Sequence, residues 1–335
     1  MSNPVLVEVI RGALVESAHR GAVAVIDADG ATVLALGDVN RPIFPRSAVK
    51  PLQALPMIEA GAADRFGFGD EEIALASASH GGEPAHVAVA ARMLARAKLD
   101  QTALECGAHW PSHQASSQAL ARSGVLPSPL HNNCSGKHAG FLCVARAMGV
   151  DPRGYGSRDH PVQREVRAAI EHLAGVGLSE DSCAVDGCSI PTWAVPLKNL
   201  AGAFAGFGTG RGLEPARARA AARIRDACAA KPYFVAGTGR FCSEAMGRLG
   251  ARLLAKTGAE GVFCAALPEQ GFGIAVKCDD GGARAAEVTI AALIARLMPL
   301  ADPERMALDR FARPILRNWN GIEVGRLQPT AALSA

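Results

Sequence analysis

Valine and isoleucine are concentrated in three short segments near the start of the chain. These segments are Val5–Ile10, Gly21–Ile26 and Ala31–Leu36, and their composition is typical of β-strands. The last two are joined by Asp27-Ala-Asp-Gly30, a sequence that favours a hairpin turn. The chain is therefore predicted to begin with β-structure.

Apolar residues recur at helical spacing through most of the rest of the chain. This period predicts helices in residues 71–98, 115–123, 138–148, 161–174, 194–205, 214–230, 241–255 and 285–298. Stretches rich in Gly, Ser, Pro and His predict loops at 79–84, 107–114 and 131–137. Two further strands are predicted at Val262–Leu267 and Gly273–Lys277.

Strands at both ends with helices between them predict one sheet built from the two termini, with a helical region inserted. No internal repeat or low-complexity linker marks a domain boundary. We therefore expect a single catalytic domain, residues 1–335, with two lobes. The sheet lobe covers about 1–45 and 255–335, and the helix-rich lobe about 46–254.

Composition and charge exclude several classes of protein. Hydrophobic residues make up 49% and charged residues 20%, as in ordinary soluble proteins. The net charge of +3 and the 5% of aromatic residues are too low for a nucleic-acid-binding surface. No apolar stretch reaches the roughly 18 residues of a membrane span. The first residues lack a basic segment followed by an apolar core, so we expect no signal peptide and a cytoplasmic location.

The cysteine and lysine residues narrow the candidate chemistry. The nine cysteines include no Cys-x-x-Cys pair, and we expect thiols. Of the 35 basic residues, the lysines are Lys50, Lys98, Lys137, Lys198, Lys231, Lys256 and Lys277. A buried lysine can lose its proton, whereas arginine cannot. Lysines kept in so arginine-rich a chain are therefore candidates for chemistry.

The first candidate is the segment Ser47-Ala-Val-Lys50. On one helical turn a serine and a lysine at this spacing share a face, where a neutral amine can accept the hydroxyl proton. Such an amine needs burial or a neighbouring cation, which Arg46 can supply. A chance match with helix capping is the alternative for so short a motif. The arrangement is that of serine hydrolases with a Ser–Lys pair.

Three further segments combine reactive and small residues. Ser77–Pro84 can direct backbone amides and hydroxyls to a ligand, or can simply precede a capped helix with His80 on the surface. His131–His138 brings amides, a thiol, an amine and an imidazole together before a helix, which capping alone does not explain. Cys183–Pro191 contains two cysteines and an Asp-Gly turn, for which a buried thiol is the simpler interpretation.

Two glycine-rich segments, 206–212 and 237–240, match no dinucleotide-binding fingerprint. We predict loops at both, and the second is a candidate to line a site.

Five segments, taken together and in order, resemble the Rhizobium-type L-asparaginases of the asparaginase II family over nearly the whole chain. They are Pro45-Arg-Ser-Ala-Val-Lys50, Ser77-Ala-Ser-His-Gly-Gly-Glu83, Asn132-Asn-Cys-Ser-Gly-Lys-His138, Val185-Asp-Gly-Cys188 and Lys256-Thr-Gly-Ala-Glu-Gly261. The resemblance implies hydrolysis of L-asparagine to L-aspartate and ammonia by a homodimer. It also implies an α/β (α+β) fold, an antiparallel sheet from both termini with flanking helices, similar to serine β-lactamases, penicillin-binding proteins and glutaminases.

The resemblance assigns roles to individual residues. It implies two catalytic Ser–Lys pairs, Ser47 with Lys50 and Ser79 with Lys256, and one zinc ion held by Cys134, Lys137 and Cys188. The residues expected to bind the substrate are Arg46, His80, His138 and Asp186. Cys242 matches a cysteine near the family's site, without a role. Of the two serines, we favour Ser47 as the nucleophile and Lys50 as its base.

Three other functions stay open. A glutaminase differs by one methylene of substrate, which a pocket distinguishes by only about 1–3 kcal/mol without special contacts. A penicillin-recognising enzyme would share Ser47-x-x-Lys50 and a Lys-Thr-Gly at Lys256, but here that triplet is predicted to precede a strand rather than to lie in one. A non-catalytic zinc-binding protein would bind the metal and release no ammonia.

Overall fold

A computed structural model describes residues 2–333 of the chain. The contacts divide the chain into two units. The sheet unit comprises Met1–Ala48, Ala194–Arg211 and Arg252–Ala335, and the helical unit comprises Val49–Trp193 and Gly212–Ala251. The sheet unit thus includes 194–211, which the sequence analysis assigns to the helix-rich lobe.

The described residues form twelve strands and fourteen α-helices. The strands are β1 (Val5–Arg11), β2 (Leu14–Asp27), β3 (Thr32–Leu36), β4 (Pro42–Ile43), β5 (Cys183–Val185), β6 (Pro191–Trp193), β7 (Val195–Pro196), β8 (Leu254–Thr257), β9 (Val262–Leu267), β10 (Phe272–Cys278), β11 (Ile315–Arg317) and β12 (Glu323–Pro329). The helices are α1 (Lys50–Gln53), α2 (Leu55–Glu59), α3 (Ala62–Arg65), α4 (Asp70–Ala76), α5 (Pro84–Arg96), α6 (Gln114–Arg122), α7 (Ser135–Met148), α8 (Pro161–Ala174), α9 (Leu197–Thr209), α10 (Pro215–Ala230), α11 (Pro232–Ala236), α12 (Phe241–Leu249), α13 (Ala283–Leu297) and α14 (Asp302–Ala312).

The sheet unit is built around one eight-stranded antiparallel sheet. Its order is β11-β12-β1-β2-β10-β9-β8, and β3 pairs with β2. The first and last long strands are neighbours, because Val7 pairs with Pro329 and Ile10 with Arg326. All six residues of β9 are buried, as expected of a strand covered on both faces. The helices that pack on this sheet are α9 and α13, with α14 against α13.

The helical unit is organised around α7. Its first eleven residues, Ser135 to Ala145, are all buried, because α2, α3, α4, α5 and α8 pack around it. A helix segment buried on every side needs no amphipathic stripe. The eleven buried residues are accordingly small or apolar, except for the polar residues at the start of the helix. There, Lys137 and His138 are buried polar residues. A two-stranded hairpin of β5 and β6 completes the unit's regular structure.

The predicted fold class is confirmed: the protein is a mixed α/β structure with an antiparallel sheet from both ends of the chain and many helices. The hairpin between β2 and β3 is also confirmed. The helix predicted over 241–255 is wrong beyond Leu249, because residues 254–257 form the short strand β8. The expectation that Lys256-Thr-Gly precedes a strand is therefore wrong, since Lys256 lies within β8.

Candidate active site

Ser47 lies in a tight turn of the sheet unit. Residues Arg46–Val49 form one turn of 3-10 helix, and Arg46 has a φ of 51°, a left-handed conformation that strains a residue with a Cβ. Gly258, one residue beyond β8, approaches this turn closely: a Cβ there would lie 2.7 Å from the Pro45 carbonyl oxygen. Any larger residue would push the end of β8 away from the Ser47 turn.

Lys256 is the third residue of β8 and is 1% exposed. Its Nζ donates a hydrogen bond to the carbonyl oxygen of Thr257 at 2.8 Å. Because the end of β8 lies against the Ser47 turn, the sheet unit brings this buried amine and the half-buried Ser47 to one region. Ser79 belongs to the helical unit, and its pairing with Lys256 stays a prediction.

A buried lysine contacts a serine within the helical unit. Lys50 is fully buried, and its Nζ donates to Ser79 Oγ at 2.9 Å and to the Ala78 carbonyl oxygen at 2.5 Å. Ser79 is held in turn by its own amide, which donates to the Val235 carbonyl at 3.0 Å. Two serines are therefore candidate partners of the Lys50 amine. Ser47 lies three residues before it in the sequence, and Ser79 is in contact with it.

His80 supports the loop that carries Ser79. The Gly82 amide donates to His80 Nδ1 at 3.1 Å, so the ring hydrogen is on Nε2, which lies 2.9 Å from Ser135 Oγ. Burial, together with the charges of His86 and Lys50, holds the pKa of His80 well below its ordinary value. Both ring nitrogens have protein partners, so contact with a substrate would break one of these hydrogen bonds. The substrate-binding role expected of His80 stays a prediction.

Glu83 anchors the other end of the same loop. Its carboxylate, in a residue only 6% exposed, accepts from the Thr238 amide at 2.9 Å and from Thr238 Oγ1 at 2.7 Å. Burial opposes ionisation of Glu83, but the two hydrogen bonds from Thr238 outweigh it and lower its pKa. The segment 237–240, which the sequence analysis gave as a candidate to line a site, thus holds the Ser79 loop through the contact of Thr238 with Glu83.

Cys134, Lys137 and Cys188 lie together in the helical unit, each at most 4% exposed. Cys134 precedes α7 and Lys137 lies in its first turn. Lys137 Nζ is 3.1 Å from Cys188 Sγ. The start of α7 is set close to the end of α4, since a Cβ on Gly136 would lie 2.4 Å from the Leu75 carbonyl oxygen.

The side chains of Cys134, Lys137 and Cys188 shift one another's pKa values. The hydrogen bond with the Cys188 thiol, and then the charges of Lys50 and Lys137, lower the pKa of Cys134 well below its ordinary value. The same thiol–thiol contact, with burial, raises the pKa of Cys188. Burial opposes the charge on Lys137, but the two sulfurs raise its pKa. These shifts favour the thiolate form of Cys134 and the protonated form of Lys137.

The donor set fits a soft divalent metal. Two thiolates and one amine are suitable ligands for zinc once the amine has lost its proton. Within residues 2–333 no group of three or more His, Cys, Asp or Glu side chains is arranged to hold a metal ion. A site here would therefore depend on the lysine as its third ligand.

Asp186 and His138 lie next to this group. Asp186 is half-buried in the turn after β5, where its Oδ1 accepts from the Gly187 amide at 2.8 Å and its Oδ2 lies 3.8 Å from Cys188 Sγ. His138 follows Lys137 on α7 and is fully buried. Burial, and then the charges of Lys137 and Lys50, hold the pKa of His138 well below its ordinary value.

Sequence reasoning did not identify two residues near the candidate site. Thr238 holds Glu83, 155 residues earlier in the sequence, through the two hydrogen bonds described above, and Tyr155 contacts His138 Nδ1 at 2.7 Å. The glycine-rich segment 237–240 marked the region of Thr238, but nothing in the sequence indicated its partner. No motif marked Tyr155.

The chain matches the family L-asparaginase II over residues 7–329. This match covers nearly the whole chain, and the protein therefore belongs to the L-asparaginase II family. No match was found among curated protein sequences. Over residues 2–333, no helix is both long and apolar enough to cross a membrane.

Several solved structures are similar to part of this chain. The native form of Mglu is 17% identical with a TM-score of 0.41, and the match covers 80% of this chain and 61% of that one. A beta-lactamase from Mycobacterium bovis is 15% identical with a TM-score of 0.40, covering 80% of this chain and 90% of its own. A mutant simvastatin synthase from Aspergillus terreus is 11% identical, with a TM-score of 0.40 and coverage of 87% and 90%. The chain thus spans about three-fifths of the length of Mglu.

Proposed function

We propose that the protein hydrolyses L-asparagine to L-aspartate and ammonia with Ser–Lys chemistry. The observation that carries the proposal is the contact between the fully buried Lys50 amine and the Ser79 hydroxyl at 2.9 Å, in a member of the L-asparaginase II family. A lysine amine that has given up its proton can act as a base toward a neighbouring hydroxyl.

Ser47 is proposed as the nucleophile and Lys50 as its base. The Ser47 oxygen forms a bond to the side-chain amide carbon of asparagine while its proton passes to Lys50 Nζ. That proton then goes to the leaving nitrogen as the carbon–nitrogen bond breaks, and ammonia departs from an aspartyl ester. Lys50 next accepts a proton from the attacking water, and the ester bond breaks to return Ser47 to its hydroxyl form and release L-aspartate.

Ser79 and Lys256 form the second proposed unit. Ser79 lies against Lys50, so its hydroxyl can pass a proton to or from that amine. A relay of this kind keeps Lys50 in the protonation state that each half-reaction needs. Four residues are proposed to bind the amino acid: Arg46, His80, His138 and Asp186.

One zinc ion is proposed as a cofactor, held by Cys134, Lys137 and Cys188. When bound, zinc would supply a positive charge and an open coordination position for a substrate group. The three side chains are buried and Lys137 Nζ already lies 3.1 Å from Cys188 Sγ. Because Cys188 and Asp186 share one turn, binding at Cys188 would also hold the Asp186 carboxylate in place.

A single experiment tests these assignments. Ammonia release is measured with L-asparagine and with L-glutamine on purified protein, and the metal content is determined on the same sample. Faster release from L-asparagine and stoichiometric zinc are expected. Preferential release from L-glutamine would make the protein a glutaminase, and zinc without ammonia would make it a non-catalytic metal-binding protein.

One observation favours a second candidate, a penicillin-recognising hydrolase. Lys256-Thr-Gly follows the pattern of these enzymes in ending a strand, β8, at the edge of the sheet. Turnover of a chromogenic β-lactam by the same preparation would support this reading. No turnover, with ammonia release from L-asparagine, would exclude it.

A homodimer and a cytoplasmic location are proposed from the family resemblance. The mass of the protein in solution, measured by light scattering over a range of concentrations, tests the first. Fractionation of cells that express the native protein tests the second.

A further inference from the structure

Three residues of the helical unit, Glu105, Tyr155 and His138, are connected by hydrogen bonds. The Glu105 backbone amide donates to the Tyr155 hydroxyl oxygen at 2.8 Å. The same oxygen lies 2.7 Å from His138 Nδ1. Tyr155 and His138 are both fully buried, so water does not compete for these contacts.

The hydrogen-bond donors decide which atom donates and which accepts in each contact. A backbone amide can only donate, so the Tyr155 oxygen accepts from Glu105 and its own hydrogen remains to be donated. His138 Nδ1 is the neighbour that this hydrogen reaches. Nδ1 is therefore an acceptor, and the hydrogen of the imidazole ring is on Nε2.

His138 Nε2 is left without a partner. Among the described residues it is one of the few buried side-chain nitrogen or oxygen atoms that make no hydrogen bond. An unpaired buried donor is costly, and a catalytic or ligand-binding role is one of the reasons for which folded proteins keep such an atom. Since His138 adjoins Lys137 on α7, an acceptor brought by a bound substrate is the simplest partner.

Glu105 also fixes the segment that carries Tyr155. Its carboxylate accepts from the amides of Gly154 at 2.7 Å and Gly156 at 3.2 Å, on either side of Tyr155. One residue thus anchors both the backbone around Tyr155 and, through its own amide, the Tyr155 hydroxyl. This double anchoring holds the Tyr155 hydroxyl oxygen beside His138 Nδ1.

We propose that Tyr155 is a positioning residue that fixes His138 with its hydrogen on Nε2, so that His138 donates to a carboxylate oxygen of the bound amino acid and serves neither as a base nor as a metal ligand. The identity of the acceptor rests on the proposed function. The tautomer does not, because it follows from the hydrogen bonds of the protein alone.

The test uses the full chain labelled with ¹⁵N-histidine and read by ¹H–¹⁵N correlation spectra. The His138 signals are identified by their loss in His138→Gln. We expect a bare Nδ1 and a hydrogen-bearing Nε2, and a shift of the Nε2–H signal when L-aspartate, the product, is added. A hydrogen on Nδ1 would overturn the proposal, and an Nε2–H signal that L-aspartate leaves in place would overturn its substrate contact.

Tyr155→Phe removes only the hydroxyl. We expect the KM for L-asparagine to rise about tenfold while kcat changes less than about threefold, and the His138 Nδ1 signal to move. Tyr233→Phe, at the other tyrosine of the chain, is the control and should leave the His138 signals in place. Unchanged KM and Nδ1 signal in a folded Tyr155→Phe would refute the positioning role.

A second pair of variants keeps the test decisive if Tyr155→Phe does not fold. Glutamine can place an N–H donor near the position of Nε2, whereas leucine cannot. His138→Gln should therefore bind L-aspartate about tenfold more tightly than His138→Leu. Equal affinity would remove the donor role. A protein with the expected tautomer but no hydrolysis of L-asparagine would reject the proposed function and leave the role of Tyr155 standing.

Discussion

The Nζ of Lys50 lies 2.9 Å from the Oγ of Ser79, a residue in a different element and outside the spacing that marks Lys50 in the sequence. The sequence spacing pairs Lys50 with Ser47, whereas in the structure the Lys50 amine contacts Ser79. The first predictions therefore separate the two serines.

Ser47→Ala should abolish amide hydrolysis in a folded protein, because loss of a nucleophile costs several orders of magnitude. Ser79→Ala should slow the reaction less and still accumulate an acyl-enzyme. Mass spectrometry of both variants after rapid quenching with L-asparagine checks this. The exposed Ser123→Ala is the control. An adduct in Ser47→Ala, or more than roughly a tenth of wild-type turnover there, would move the nucleophile to Ser79.

Lys50→Arg should be nearly as inactive as Lys50→Ala, although it keeps the positive charge. A guanidinium does not give up its proton near neutral pH and therefore cannot act as a base. Steady-state ammonia release for both variants is the measurement, and Lys198→Arg on the surface is the matched control. Substantial activity in Lys50→Arg would make this residue an electrostatic contact. The same substitutions at Lys256 examine the second proposed pair.

Cys188→Ala should release zinc and raise the KM for L-asparagine, with a partial loss of kcat. The metal is separate from the proposed nucleophile and base, so its removal should not abolish turnover. Metal analysis and kinetics on one sample measure both effects, with Cys183→Ala, a thiol of the same hairpin, as the control. In the wild type, zinc should also be lost as the pH falls, because its ligands must be deprotonated. A zinc-free wild type grown with zinc would contradict the site.

Glu83→Gln should destabilise the protein by about 1–2 kcal/mol at neutral pH, because one acceptor for Thr238 is lost. The pKa of Glu83 is lowered in the folded protein, so its contribution to stability is present above the ordinary carboxyl pKa and is lost as the pH falls through the lowered value. Chemical unfolding of both proteins at several pH values measures this. A difference in stability that does not shrink in acid would mean that the charge of Glu83 is not involved.

Local patterns predicted what depends on neighbours in sequence. The hairpin at Asp27–Gly30 and the Ser47-x-x-Lys50 turn are both formed by residues only a few positions apart. Strand β8 was missed because four residues are too few for a period to appear, and because the helix before it ends in similar apolar residues. Its misassignment mattered, since it hid the strand position of Lys256.

Contacts across the chain could not be predicted in the same way. Three contacts illustrate this: Lys50 with Ser79, Glu83 with Thr238, and Tyr155 with His138. They form only because tertiary packing brings these residues together. Nothing in the residues around Tyr155 indicates such a partner. The resemblance to a family supplied the candidate reactive groups, whereas the side chains that contact them could be identified only in the structure.

The pairing of β1 with β12 has a consequence for biosynthesis. Val7 pairs with Pro329, and the Leu6 carbonyl oxygen accepts a hydrogen bond from the Thr330 amide. One edge of β1 therefore stays unpaired during translation until β12, more than 300 residues later in the sequence, has left the ribosome. The residues of the helical unit are made before that edge is covered. An open strand edge is prone to aggregation, so slow elongation or stalling before β12 is made should increase the demand for chaperones.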